Sequence, residues 1–400
     1  MLKSIHPFPA RMASELALEP LKGIARGSVV LDPMMGSGTV LRHAMAMGHN
    51  AIGFDMDPLA VLMSKVSTTP VLASDFFKEL KEVTERAKSL RPHDVLLPWI
   101  DEDAETREFV SYWFAKQQRD DLRRLAFVLY ERSAKRFGAR RRAITDVLRL
   151  SLSRIIVTKD KGASLGRDIS HSRPHRVSLT SDYDVFQGFE SAAQKIIDRL
   201  VAPSVVERTN KAMVSIGDVR SLALDDGSVD VVITSPPYLN AIDYLRGHRL
   251  ALVWLGFTLG ELRLIRSESI GAERAPGDRY DGNIIDKAAA AMCDRDMLDA
   301  RRAAMVTRYA GDLLKMCKEI VRVLKLGGTA TFVVGNSCLK DVFIQNSKGV
   351  VQCAALVGLQ LRDERERELP VRSRYLPLMG TGHLSKRMRT ESVMTFERRS

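Results

Sequence analysis

Residues 28–58, SVVLDPMMGSGTVLRHAMAMGHNAIGFDMDP, place a glycine-punctuated loop and a stretch of helical composition between two short apolar runs, and few folds accommodate that rhythm. Val29 to Leu31 form an apolar run bounded by turn residues, which predicts a buried strand. Gly36 and Gly38 punctuate the loop that follows, Thr39 opens a helix that stops at Gly48, and Ala51 to Phe54 make the next strand. Strand, loop and helix in that order predict the α/β class.

The same rhythm resumes at VSIGDVRSLALDDGSVDVVITSPPY, where Val229 to Thr234 are nearly continuous apolar sequence, as expected of a strand covered on both faces. A helix is expected from about Ala241 to Leu255. A polar stretch, SESIGAERAPGDRYDGN, then reads as an insertion. A long helix ending in KEIVRVLKLGG leads to the strand TATFVVG, VVQCAALVGLQL suits one more helix, and ERERELP with SVMTFER suits a closing hairpin. Between the two α/β stretches, from about Pro70 to Met213, the sequence is long, charged and helical, and ends in a loop rich in Gly, Ser and basic residues. The expected organisation is one α/β domain in two parts, 1–69 and 212–400, around a helical insertion at 70–211.

A chain of 400 residues, 45% hydrophobic and 28% charged, can bury a substantial core. It holds no stretch near the roughly 18 uninterrupted apolar residues that a membrane span needs, and MLKSIHPFPARM lacks the apolar core of a signal peptide. A cytoplasmic protein with no membrane partner is the expectation. Cys293, Cys317, Cys338 and Cys353 form no CxxC pair, and His171 and His175 have neither carboxylate nor thiolate companions, so no metal site is expected. A net charge of +12 favours encounter with polyanions.

Two motifs carry chemistry. In Asp32-Pro33-Met34-Met35-Gly36-Ser37-Gly38-Thr39, glycines let a ligand approach the backbone at the start of a helix whose N–H groups are unpaired. Asp55, about 20 residues on at the end of the next strand, can accept hydrogen bonds from both hydroxyls of a ribose. Asp57, past the strand end, is the poorer ribose ligand. An NAD site and a purely structural turn are the competing readings, the first weakened because the loop is not GxGxxG.

The second motif is Thr234-Ser235-Pro236-Pro237-Tyr238. Two prolines donate no backbone hydrogen bonds and fix φ, so the loop is stiff and its carbonyls point outward. An amine conjugated to a base ring is a poor nucleophile. Hydrogen bonds from its two protons to the Ser235 hydroxyl and a prolyl carbonyl would pull its lone pair out of conjugation and aim it. Tyr238 can stack on a base, which must be swung out of a duplex to be reached.

These residues resemble the amino-methyltransferases of DNA, the N4-cytosine and N6-adenine enzymes. DPMMGSGT is similar to their cofactor loop, GFDMDP to their ribose-binding acid region, and TSPPY to their catalytic tetrapeptide with its preceding residue. HPFPARM, with His6, Pro7 and Phe8, is similar to the segment that closes over the methionine end of the cofactor, and IGDVRSL resembles the region whose acid, here Asp218, lies near the adenine amino group. The resemblance covers about half of the chain in separated blocks. It implies a Rossmann-like class I methyltransferase sheet, S-adenosyl-L-methionine as cofactor held by Asp32, Pro33, Gly36, Gly38, Thr39, Asp55 and Asp218, and catalysis by Ser235, Pro236, Pro237 and Tyr238. A serine-first tetrapeptide is commoner among the N4-cytosine enzymes, so cytosine is expected over adenine.

In that family the insertion between the two motifs serves target recognition, although here the Asp218 block follows the insertion. The expected nucleic-acid contacts are Arg140, Arg141, Arg142, Lys159, Lys161, Arg167, Arg173 and Arg176, with a solvated helix face and surface loop as the alternative, and the second insertion, with Arg274, Arg279 and Tyr280, could equally flank the base pocket. The expected activity is site-specific methylation of duplex DNA with the base flipped, within restriction-modification; any partner restriction or defence subunit stays unknown. RNA base methylation, for example at N2 of guanosine, a silent DNA-binding subunit and, further off, protein-glutamine methylation stay open.

Overall fold

The computed structural model describes residues 4–8, 12–135, 137–158, 161–167, 175–200, 211–239, 243–271, 282–339, 342–368 and 390–399. They divide into two compact units. One comprises Ala10–Met56, Arg208–Ile242 and Ser267–Ser400; the other comprises Met1–Pro9, Asp57–Glu207 and Asp243–Arg266.

The first unit is built on a seven-stranded sheet. Its strands are β1 (Val29–Asp32), β2 (Asn50–Asp55), β3 (Ala212–Ile216), β4 (Val229–Thr234), β5 (Leu324–Gly335), β6 (Leu359–Glu368) and β7 (Thr390–Arg398), in the spatial order β6-β7-β5-β4-β1-β2-β3. β7 runs antiparallel to both neighbours and every other pairing is parallel. This is an α/β, Rossmann-like sheet. The order turns back on itself between β1 and β4, which makes the carboxyl ends of those two strands the switch point where such sheets bind ligands.

Burial follows from composition. β4 is buried at five of its six residues, and the exception, Asp230, accepts from Val29 N at 2.8 Å and from Lys325 Nζ at 2.7 Å. Large apolar side chains from one face of the strands, among them Leu31, Val232, Phe332 and Phe396, form a core with helix residues such as Tyr309, while Val333 and Val393, on the other face, pack with Leu16. β3, at the sheet edge, leaves Met213 and Ile216 exposed.

The second unit is helical and has its own core, in which Phe114 and Trp254 meet edge to face with ring centroids 5.0 Å apart. It takes in more of the chain than residues 70–211. The helix Pro58–Thr68 is buried at ten of its eleven positions, and so apolar a helix requires cover on all sides. It packs on the helix Ala139–Arg154 within this unit, as does the helix Tyr244–Leu252, which sequence alone assigned to the α/β domain.

Two further boundaries differ from expectation. VVQCAALVGLQL is not one helix: the helix is Asn346–Leu356, Gly358 turns the chain at φ +89°, and Leu359 begins β6. β5 starts at Leu324 rather than at Thr329, because Leu324 already pairs with Val229 before an irregularity in the ladder. The hairpin expected at the end of the chain is β6 and β7. Among the described residues, no helix is long and apolar enough to cross a membrane and no group of three or more His, Cys, Asp or Glu could hold a metal ion.

Candidate active site

β1 ends at Asp32, and the chain then turns through a loop in which Gly36 and Gly38 take φ values of +50° and +77°. A side chain at either position would be strained, which is the physical reason for glycine there. The loop is tied to β2 by two hydrogen bonds: Met35 N donates to Phe54 O at 3.0 Å, and Gly36 N donates to Asp55 Oδ2 at 2.9 Å. Gly38 caps the helix Thr39–Ala46, and no side-chain hydrogen bond covers that helix end. The loop therefore presents a glycine backbone, a helix start and the half-buried carboxylate of Asp55 together.

β4 ends at Thr234 and delivers Ser235-Pro236-Pro237-Tyr238 beside it, since β1 and β4 are adjacent and parallel. A direct bond joins the two strand ends: Thr234 Oγ1 donates to Asp32 Oδ1 at 2.9 Å, both groups being buried. Burial pushes the Asp32 carboxyl up to about 7, against the opposing pull of the Thr234 hydroxyl and of Met34 N. Pro33, between Asp32 and Met34, lies in the same loop.

The loop after β4 is held from three sides. Ser235 Oγ donates to Val333 O on β5 at 2.9 Å, so its proton is engaged and its lone pairs remain to accept. Tyr309, fully buried on the long helix Ala300–Val323, donates from its hydroxyl to Pro237 O at 2.9 Å. Burial raises that phenol well above 10, which keeps it protonated as a donor. With Pro237 O taken, Pro236 O is the diproline carbonyl for which the described residues supply no partner. Tyr238 lies across Gly335, where an added Cβ would stand 2.6 Å from its ring. Glycine at 335 is thus what gives the tyrosine ring its seat.

Asp218 stands after β3, also at the carboxyl edge of the sheet. Its carboxylate accepts from Arg220 N at 2.9 Å and from Arg220 Nε at 3.0 Å, and the same guanidinium reaches Asp312 Oδ1 at 2.8 Å. Asp218 is therefore a held acid rather than a lone one, and its outer lone pairs are what a ligand's amino group could use.

The residues expected to act together separate between the two units. Asp32, Pro33, Gly36, Gly38, Thr39, Asp55, Asp218 and Ser235 to Tyr238 lie in the sheet unit, and His6, Pro7 and Phe8 lie in the helical one. His6 Nε2 meets Ser153 Oγ at 3.1 Å, and Phe8 stacks on Tyr244 at 5.4 Å. Asp57 caps the helix Pro58–Thr68 through Leu59 N at 2.8 Å and forms an ion pair with His248, a structural use rather than a ribose site.

Of the expected nucleic-acid contacts, Arg140 pairs with Asp75, Arg141 Nε pairs with Glu79 at 2.9 Å, and Arg142 donates to Phe137 O at 2.8 Å. Lys161, Arg167 and Arg176 surround a different piece of surface, described below. Lys159 and Arg173, with His171, Arg274, Arg279 and Tyr280, lie outside the described residues. Sequence reasoning missed Arg220, Asp312 and Tyr309. Arg220, two residues beyond Asp218, carried a local signal; Tyr309, 71 positions from Tyr238 on a distant helix, carried none.

Comparison with known proteins finds DNA methyltransferases among the similar sequences. Residues 5–65 match the family model described as DNA methylase. The chain is 25% identical over 272 residues to the Type II methyltransferase M.BsoBI of Geobacillus stearothermophilus, covering 62% of this chain and 51% of that protein. It is 22% identical over 384 residues to the Type II methyltransferase M.MvaI of Kocuria varians, covering 85% and 78%. A third relative, the Type II methyltransferase M.MjaII of Methanocaldococcus jannaschii, is 22% identical over 322 residues, covering 62% and 61%. The chain thus spans only about half the length of the first of these and under two thirds of the third. Its similarity to the DNA amino-methyltransferases rests on these matches as well as on the motifs.

Proposed function

We propose that this chain, similar over its cofactor-loop segment to the DNA methylases, transfers a methyl group from S-adenosyl-L-methionine to an exocyclic amino group of a DNA base, N4 of cytosine in preference to N6 of adenine. The observation that carries this is the Thr234–Asp32 bond at the sheet's switch point, which fixes the glycine loop and the diproline loop side by side.

The donor set fits the cofactor. Gly36 and Gly38 form a cradle that a Cβ would strain, and Asp55 supplies carboxylate oxygens for ribose hydroxyls. Three acids, Asp32, Asp55 and Asp218, end β1 and β2 or follow β3 at one edge of the sheet, a charge pattern suited to a cation. The bound cofactor supplies an electrophilic methyl on a sulfonium sulfur. Ser235 Oγ, its own proton engaged by Val333 O, and Pro236 O accept the two N–H bonds of the target amine and draw its lone pair toward the methyl. Tyr238, seated on Gly335, offers a ring face to the flipped base. Ser235, rather than an aspartate, at the first position of the tetrapeptide supports cytosine.

Incubation of the chain with tritium-labelled S-adenosyl-L-methionine and, separately, duplex DNA and structured RNA tests the proposal. Label in DNA supports it; label in RNA alone, or in neither with intact protein, refutes it.

A further inference from the structure

In the helical unit, the loop between the helices Ala139–Arg154 and Val185–Leu200 folds into a two-stranded ribbon, Gly166–Arg167 against His175–Arg176, and beside it lies a cavity of about 130 Å³. Lys161 and Arg167 line it, together with the hydroxyl residues Ser164, Thr180 and Ser181. We propose that this cavity is a seat for one backbone phosphate of duplex DNA, an inference that rests on the DNA reading above and gives the helical unit a defined place in it.

The available atoms point to an oxyanion. Arg167 spends Nη1 on Ser164 O at 3.4 Å and Gly166 O at 2.9 Å, bonds that fix the guanidinium and leave its Nε and Nη2 donors unspent among the described residues. Ser181 Oγ accepts from Tyr183 N at 3.2 Å, so its own proton is available, and no bond within the described residues claims the Thr180 hydroxyl. A fixed guanidinium fork, a lysine and two hydroxyl donors around a small cavity are the donors that phosphate oxygens select.

The acid on the rim sets the chemistry further. Asp182 holds Lys161 Nζ at 2.9 and 3.2 Å, and both side chains are exposed. An exposed pair of this kind contributes little to stability, and a phosphate can compete for the lysine at small cost. Lining charge is then +1 with Lys161, Arg167 and Asp182 counted. Next to the cavity, Arg176 donates from Nε to Ser178 O at 3.1 Å and lies over the exposed ring of Tyr112 at 4.8 Å, while Val177 and Leu179 are also exposed. A cation fixed over an exposed ring, bordering a phosphate seat, suits a surface that follows a polynucleotide backbone.

The experiment is fluorescence anisotropy of the full chain with duplexes of several sequences, titrated from low to moderate salt. Arg167→Gln and, as a gentler variant, Thr180→Val paired with Ser181→Ala are compared with the unaltered protein, folding being checked by circular dichroism. The phosphate seat predicts that Arg167→Gln weakens binding to every duplex alike, by roughly 3- to 10-fold, and lowers the log–log salt slope by about 1. The hydroxyl variants weaken binding at an unchanged slope. Asp182→Asn strengthens binding, the opposite of what loss of a structural ion pair would do. Inorganic phosphate, added at constant ionic strength, competes with DNA in the unaltered protein and loses that effect in Arg167→Gln; phosphate binding without competition assigns the cavity to a free anion and overturns the proposal. Unchanged affinity and slope in folded Arg167→Gln, with DNA methylation intact, overturn the seat and spare the proposed reaction. If the unaltered protein neither binds nor methylates DNA, both fall.

Discussion

The two compact units differ in what their conspicuous polar groups are left to do. In the sheet unit, neighbouring residues hold the groups proposed to act on the target amine and leave acceptors over: Val333 O takes the proton of Ser235, Tyr309 donates to Pro237 O, and the Ser235 lone pairs and Pro236 O remain. In the helical unit the arginine triplet is anchored to its own fold, Arg140 and Arg141 by acids and Arg142 by one backbone carbonyl. Arg140 and Arg141 tie the helix Ala139–Arg154 to acids of the helix Ala73–Ser89, and Arg142 closes on the turn at Phe137. Preorganised acceptors serve a reaction, whereas internally paired cations serve packing. Charge density alone does not separate the two roles; the direction of the remaining donors and acceptors does.

Substitutions break this contrast at different strengths. The largest effect belongs to Ser235→Ala, which removes an acceptor from the target amine: turnover falls by roughly 10²- to 10³-fold while cofactor affinity, read by calorimetry, stays within about twofold. Equal turnover removes Ser235 from its role. Asp55→Asn comes next. Losing charge-assisted hydrogen bonds to the ribose weakens cofactor binding by roughly 10- to 100-fold, and a spectrum still native by circular dichroism separates this from collapse of the loop that Gly36 N anchors.

Asp32 adds a pH signature. Its carboxyl is pushed up to about 7 by burial, and a cationic ligand binds better when it is ionised. Cofactor affinity therefore rises with pH, by up to about tenfold per unit, until about pH 7 and is level above it; Asp32→Asn flattens the profile. The sign for stability is opposite. Below about 7 the folded chain holds a proton that the unfolded chain has already released, so this group's contribution declines as pH rises from the ordinary carboxylate range to about 7. The smallest effect is that of replacing Arg140, Arg141 and Arg142 together by Gln. DNA affinity changes by less than that of Arg167→Gln, and Tm falls by about 2–4 °C as exposed ion pairs are lost.

Much of the sheet unit was legible in the sequence because its signals are local. Val229 to Thr234 is an apolar run of strand length, Gly36 and Gly38 sit where positive φ is needed, and two prolines stiffen the loop they occupy. The strand order that brings these together was implied by the resemblance and not by any one segment. What could not be read was tertiary: that Tyr309 would reach Pro237 O, that Arg220 would bind both Asp218 and Asp312, and that Thr234 would bond Asp32 across 202 positions. Residues 58–69 were expected within the α/β domain, but they form the helix Pro58–Thr68, whose almost fully buried, apolar surface belongs to the helical unit.

The most direct measurement is mass spectrometry of nucleosides digested from duplex DNA after incubation with the protein and isotopically labelled S-adenosyl-L-methionine. A serine and a prolyl carbonyl that draw an amine toward a sulfonium methyl predict label in N4-methylcytosine. N6-methyladenine would keep the chemistry and change the base; 5-methylcytosine, a carbon product, would contradict the account.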